Sequence, residues 1–448
     1  MSKDPGAVVT TERTQWSDLY KKEDWWAIWL GAALLATVFC GMVATVPGMP
    51  KWTWGDFSAI FPTELALPLL VLAVGLGVLF TVAAAVMKPA DAAKFLPAFL
   101  LLFALTIPVL ILSSEKTVKA YGIGYPFWAV GLGLLIANTL RTPEWLKPAL
   151  RTEFYVKTGL VIMGAEILFN NILKFGAYGL AIAWGVTPIV IIFMWFFGTR
   201  FLKMVNKPLV IVVATSTSVC GVSAAIAAAA ASRAKREDLT LAVGMTLIFT
   251  VFMMIGMPVL CSALGLPPVL GGAWIGGVVD ATGAVVAAGE SLGPEAGAAA
   301  AIVKMIQNLL IGVVAFFIAL HWVTSVERDP SNQRAVGVGE IWTRFPKFIL
   351  GFVGASLLVS FVLVPMMGEG PVKDLFGQTK EFREWLFALA FLSIGLESNF
   401  SELGKQLVGG KPIILYVVGQ SFNIVLTLFV AWLVLSSGIF PAPPSLAP

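Results

Sequence analysis

The residues with the greatest chemical reach stand in apolar surroundings. Asp280 lies in Gly276-Gly277-Val278-Val279-Asp280-Ala281-Thr282-Gly283, a small-residue interruption of an apolar segment. A carboxylate in such a place inside a membrane is expensive unless it is paired, protonated or coordinating an ion. Lys304, on the next apolar stretch, is its nearest candidate partner in sequence. The two would form a proton or sodium relay or, more plainly, a static ion pair. A second interruption reads Thr215-Ser216-Thr217-Ser218-Val219-Cys220-Gly221, with Ser223 just beyond it. The hydroxyls of Thr215, Ser216, Thr217, Ser218, Ser223 and Thr282 suit a cage around an oxyanion or sodium, or else they satisfy nearby carbonyls. A returning half-helix would begin near Gly221 and near Gly283, and helix N-termini present unpaired N–H donors with partial positive charge. Two facing tips would cradle an anion.

The remaining polar residues in apolar segments have more ordinary readings. Gln307 and Asn308 continue one face of the Lys304 stretch, and Gln420 and Asn423 lie near the middle of the last span, where interhelical hydrogen bonding is the default. Glu166 and Glu397 fit helix-end capping, snorkelling or a transport role. His321, beside Trp322, fits an interfacial anchor. Cys40, Cys220 and Cys261 lack metal-ligand spacing, and with a single histidine neither a zinc site nor a serine triad can be built. An intramembrane aspartyl protease would need a second buried aspartate, and a prenyl-transfer enzyme would need Asp-rich loops. The expectation is therefore not an enzyme and no cofactor, with Na+ or H+ as the coupling ion of a carrier; an anion channel is the alternative.

The elements that position these residues follow from composition. Of 448 residues 58% are hydrophobic and 12% charged, whereas a soluble domain has roughly 25% charged residues. A helix needs about 20 apolar residues to cross a bilayer. Apolar windows predict eleven spans, near 25–46, 63–87, 95–114, 126–140, 158–173, 178–200, 240–262, 297–322, 347–366, 385–400 and 412–436. The fold class is thus all-α and polytopic. The net charge of +4 resides mostly in short loops, which makes it a topology signal rather than a nucleic-acid surface.

The interrupted segments, 208–232 and 266–290, could cross as broken helices or re-enter as hairpins. Arg200, Lys203 and Lys207 precede the first, and Arg233, Lys235 and Arg236 follow it. Both its ends then face the cytoplasm, while the second segment, free of Lys and Arg, suits both ends outside. Two hairpins entering from opposite faces are expected. The amino terminus lies inside, since residues 1–24 are polar and lack a signal-peptide core. This puts Lys88, Lys94, Arg141, Lys147, Arg151, Lys157, Arg328, Arg334, Arg344, Lys347, Lys405 and Lys411 in the cytoplasm and the carboxyl terminus outside. The stretch 367–384, with Lys373, Lys380 and Arg383, dissents as an external loop. The division expected is a cytoplasmic tail over 1–24, peripheral spans over 25–114, a transport unit over 115–437 and an external tail over 438–448. The first spans serve peripheral packing or a homodimer surface. The setting is a bacterial plasma membrane, and the lipid bilayer and a small anion are the partners.

Gly164-Ala165-Glu166-Ile167-Leu168-Phe169 with Lys174 reappears as Gly395-Leu396-Glu397-Ser398-Asn399-Phe400 with Lys405, at a constant offset of 231 residues. An odd number of crossings lies between the copies, so they are inverted. Inverted repeats that meet near the midplane are the mark of alternating-access carriers.

Thr217-Ser218-Val219-Cys220-Gly221-Val222-Ser223-Ala224-Ala225, Val285-Val286-Ala287-Ala288-Gly289 with Ile302-Val303-Lys304, and Ser393-Ile394-Gly395-Leu396-Glu397 resemble the YeiH-like family, whose members carry the label of sulfate exporters. The match covers roughly residues 125–435. The resemblance implies a secondary carrier of the inverted-repeat superfamily, taking sulfate, sulfite, an organic sulfonate or a small carboxylate. The sequence departs from the shorter members at Asp280-Ala281, where they place a His-Glu pair, and in its added amino-terminal spans.

Overall fold

The computed structural model describes residues 15–43, 45–56, 60, 62–120, 124–322, 342, 345–399, 410–444 and 446. The tail before residue 15, Arg328, Arg334, Arg344, Phe400 and Lys405 lie outside the described residues. Fifteen principal helices carry the fold among the described residues: α1 Glu23–Phe39, α2 Ala66–Met87, α3 Ala92–Ser113, α4 Tyr125–Thr139, α5 Thr152–Glu166, α6 Phe169–Phe196, α7 Lys207–Ser218, α8 Val222–Ala231, α9 Arg236–Ala263, α10 Pro268–Val278, α11 Thr282–Ser291, α12 Pro294–His321, α13 Phe348–Leu358, α14 Glu369–Glu397 and α15 Lys411–Leu435. A π turn prolongs α6 to Phe201, and another joins α13 to a last turn ending at Met367. No strand is present among the described residues, and this is an all-α polytopic membrane protein.

Seven of these helices are long and apolar enough to cross a membrane on those grounds alone: α2, α3, α6, α9, α12, α13 and α15. The other four predicted spans correspond to α1, α4, α5 and α14. The first three are 15 to 17 residues long, and α14 has the length but carries a charged first half.

Two predicted boundaries move. The spans at 158–173 and 178–200 become α5 and α6, which meet at Ile167 and Leu168, both extended. The turn falls before the polar residues Asn170, Asn171 and Lys174, not after them. The stretch 367–384 is no loop: it is the first half of the 29-residue α14. Of its charges Arg383 is buried against Glu166 and Glu290, while Glu369, Lys373 and Asp374 stay exposed on the helix.

The second half of the repeat mirrors the first. Helices α5 and α14 lie antiparallel, with Glu166 beside Arg383 at one end and Thr152 beside Glu397 at the other. Gly164 brings α5 onto the backbone of α13 at Phe352, and Gly395 brings α14 onto the backbone of α4 at Val130. Any side chain at either glycine would overlap a carbonyl group. The repeated motif thus performs one task twice, ending a helix and allowing close approach. The pairings α5 with α13 and α14 with α4 are those that a two-fold exchange of the halves requires.

Both interrupted segments are hairpins. Asn206, which caps α7 by accepting from the Leu209 N–H at 3.1 Å, also donates to Asp238 of α9 at 2.6 Å. The start and the end of the α7–α8 segment are therefore adjacent. In the second segment, a Cβ on Gly271 in the first turn of α10 would lie 3.3 Å from the side chain of Leu292, just after α11. Glu290, at the end of α11, reaches the Glu166 end of the α5–α14 pair through Arg383. The base of α7–α8 lies where α6 ends, at the opposite end of the bundle. The hairpins enter from opposite ends and meet tip to tip.

Candidate functional site

The tips are built from glycine and from short helices that stop inside the protein. Gly221 has φ of +54°, a left-handed value that favours glycine, and a Cβ there would lie 2.8 Å from Thr246 Cγ2. It turns the chain from α7 into α8. In the second hairpin Val279, Asp280 and Ala281 make the turn. Each tip exposes the carbonyl end of one half-helix and the N–H end of the next, and buried groups of this kind need partners.

The carbonyl ends are satisfied by polar side chains on the neighbouring helices. Lys304 of α12 donates to the Val219 carbonyl of the first tip, to the Val279 carbonyl of the second at 2.8 Å and to Gln307 Oε1 at 2.8 Å. Gln307 Nε2 reaches the Ser218 carbonyl at 3.0 Å and the Gly277 carbonyl at 3.1 Å. Gln420 donates to the Val278 carbonyl at 2.8 Å, and Asn423 to the Thr217 carbonyl at 3.5 Å. Three consecutive carbonyls at the end of α7 and three at the end of α10 are thus bound by residues of α12 and α15.

Asp280 takes a different partner from the one suggested by sequence. It makes no ion pair with Lys304 within 4 Å; its Oδ2 accepts a hydrogen bond from the Tyr416 hydroxyl of α15. Asp280 is 1% exposed, and its Oδ1 has no hydrogen-bond partner.

The N–H ends of α8 and α11 open onto a cavity of about 570 Å3. Their N-cap positions are Gly221 and Ala281, neither of which has a side chain able to cap. Ser223, Thr282 and Gly283 line the cavity, as do Thr250 and Asn308. Thr250 Oγ1 and Asn308 Oδ1 are buried and lack partners, while Asn308 Nδ2 donates to Thr282 Oγ1 at 3.3 Å. Toward one end of the bundle the cavity reaches Thr152, Glu153, Lys157, Glu397 and Asp24. There Lys157 pairs with Asp24 at 3.0 Å.

The hydroxyls of Thr215, Ser216, Thr217 and Ser218 are not brought to this cavity. Each donates to a carbonyl of the preceding turn of α7, at 2.7, 2.9, 2.8 and 2.6 Å. Of the residues singled out from sequence, Ser223, Thr282 and Gly283 meet at the cavity, and Lys304 and Asp280 sit behind it, Asp280 packed close to Gly221.

The family model described as Conserved hypothetical protein 698 matches residues 97–416. The chain belongs to that family. The resemblance to the YeiH-like family drawn from the hairpin motifs therefore holds. Among its relatives is the UPF0324 membrane protein RB9488 of Rhodopirellula baltica, 50% identical over 86% of this chain and 70% of that one. A UPF0324 membrane protein of Nitratidesulfovibrio vulgaris is 50% identical over 83% of this chain, which spans 64% of that relative's length. The UPF0324 membrane protein NE0724 of Nitrosomonas europaea is 30% identical over 93% of this chain and 96% of its own. These names say membrane protein and nothing of a cargo. No solved structure matches the chain.

In this member of the family, three contributors escaped sequence reasoning. Tyr416 looked like one more aromatic residue of an apolar span, Thr250 like a small polar residue on a long helix, and Arg383 like a loop charge. The 231-residue offset, extended backwards from the Glu397 motif, would have aligned Arg383 with Thr152 and pointed to α14.

Proposed function

We propose that the protein is a secondary carrier of a small anion, working by alternating access between two inverted halves. One observation carries the reading: two uncapped half-helix N-termini, α8 and α11, open on one cavity while the opposite, carbonyl ends of the same tips are occupied by Lys304. A helix end carries about half an elementary charge. The ammonium offsets the two negative ends, and the two positive ends remain for an anion. A ligand there would also meet Thr250 Oγ1 and Asn308 Oδ1, which lack hydrogen-bond partners within the protein.

Sulfate, sulfite and small organic sulfonates fit a cavity of about 570 Å3, and export from the cytoplasm of a bacterial cell is the direction taken by this reading. The cavity opens toward Asp24, Lys157 and Glu397, the end where the positive-inside rule puts the cytoplasm. Asp280, held by Tyr416 beside the first tip, is the group assigned to bind and release a coupling proton as the halves rearrange.

Counterflow in proteoliposomes tests the proposal. Labelled sulfate, sulfite and taurine are offered to vesicles with and without unlabelled internal substrate. A carrier gives uptake stimulated by internal substrate; uptake indifferent to it would assign a channel, and no uptake of any small anion would remove the reading. Asp280→Asn is expected to abolish coupled uptake while the protein remains folded and monodisperse. Normal uptake by that variant would take the coupling role from Asp280.

A further inference from the structure

Lys304 is buried at 1% exposure in the middle of the molecule, and all three ammonium protons are directed at oxygen. Two acceptors are main-chain carbonyls freed where α7 and α10 stop, one from each hairpin, and the third is a side-chain amide oxygen. Gln307 supplies that oxygen and at the same time ties Ser218 to Gly277 through its own N–H groups. Freed carbonyls at half-helix C-termini are the groups with which broken-helix carriers coordinate a coupling ion, and Gln307 adds an amide oxygen to them here. Here the set surrounds a cation on a tether.

We propose that Lys304 is a built-in counter-cation, occupying the position where a carrier of this plan would bind sodium, so that the two hairpin tips are joined without a metal ion. The two half-helix C-termini point negative ends at one spot, and the only cationic side chain donating to them among the described residues is this one. A fixed ammonium cannot be released on either side of the membrane. It holds the two tips together throughout the cycle and leaves coupling to another group. The consequence for transport rests on the carrier reading; the consequence for cation binding does not.

The test is thermal unfolding of the detergent-purified protein at constant ionic strength, with choline replaced in turn by sodium, potassium, lithium or ethylammonium. The wild-type midpoint should not move. Lys304→Ala should unfold several degrees lower in choline and recover part of that loss, saturably, in sodium or ethylammonium, because the emptied cage then binds a free cation. Lys304→Met, which keeps the apolar stem and so fills the space a free cation would need, should be destabilised too but recover little in either salt. A saturable sodium shift in the wild type that Gln307→Ala removes would overturn the proposal. So would a folded Lys304→Ala protein indifferent to every cation. If neither variant can be purified, the wild-type titration still decides. Should counterflow fail while this cation pattern holds, the carrier reading falls and the counter-cation stands.

Discussion

Glu166 and Glu397 end equivalent helices in the two halves, yet their surroundings differ. Glu166 is 4% exposed and accepts two hydrogen bonds from Arg383 Nε, at 3.2 and 3.1 Å, while Arg383 Nη1 reaches Glu290 at 2.6 Å. The guanidinium also lies 5.6 Å from the Phe387 ring. Near this end, residues 46–48 are fastened to α14 by Trp385, which donates to the Pro47 carbonyl at 2.8 Å, and by the amide oxygen of Gln378 on the Val46 N–H. At the other end of the same helix pair Arg383 is replaced by Thr152, whose hydroxyl donates to Glu397 at 3.2 Å. Glu397 is exposed and borders the cavity. One sequence motif, used twice, makes a closed end and an open one, and the partner supplied at the aligned position decides which.

The largest effect is expected from unlocking the closed end. Arg383→Met leaves two carboxylates facing each other without a counter-charge, and breaking a buried pair this way costs about 3–5 kcal/mol. The thermal midpoint of the purified protein should fall well below that of the wild type. Adding Glu166→Gln and Glu290→Gln to Arg383→Met should restore most of the loss, since the stranded charges go with it. A single variant as stable as wild type would mean that the triad is solvated and does not seal this end.

Chemical access sharpens the same contrast. With Cys40, Cys220 and Cys261 replaced, Ser223→Cys should react with a membrane-impermeant thiol reagent from the side of Asp24 and be protected by a transported anion. Thr379→Cys, one turn from Arg383 and wholly buried, should stay unlabelled from either side until Arg383→Met is added. Labelling of both positions from both sides would describe a pore with no closed end.

The hairpin tips were legible because clusters of polar and glycine residues at the ends of α7 and α10 adjoin the places where the backbone leaves the helix, and because basic residues flank the first hairpin and not the second. The two-fold relation was legible at Gly164 and Gly395, where close helix approach constrains the residue type. What holds the tips was not, since Lys304 binds main-chain carbonyls, and carbonyls have no letter in the sequence. The nearest charged residue, Asp280, therefore looked like its partner. Tyr416 was hidden for a related reason: phenylalanine and tyrosine look alike in an apolar span until a buried carboxylate is found opposite. The closed end was missed because seven charges within 369–384 resemble a loop. In the structure they divide between an exposed helical face, as in the Lys380–Glu384 pair at 3.8 Å, and the buried Arg383.

The smallest effect should be that of Glu397→Ala, and its value lies in comparison with Glu166→Ala. Removing Glu166 takes one of two carboxylates from a buried guanidinium, and leaving such a group partly unpaired costs about 1–3 kcal/mol. Removing Glu397 takes an acceptor from a threonine that water can reach, and exposed substitutions of this kind usually stay within about 0.5 kcal/mol. Stability measured by thermal unfolding should therefore separate two variants that the repeat makes equivalent. If the two midpoints fall equally, Glu397 is buried in the conformation that dominates in detergent, and that conformation is not the one with the cavity open beside it. If only Glu166→Ala falls, the open and closed ends seen in the fold are also those of the protein in solution, and the Thr152 to Arg383 difference is what separates them.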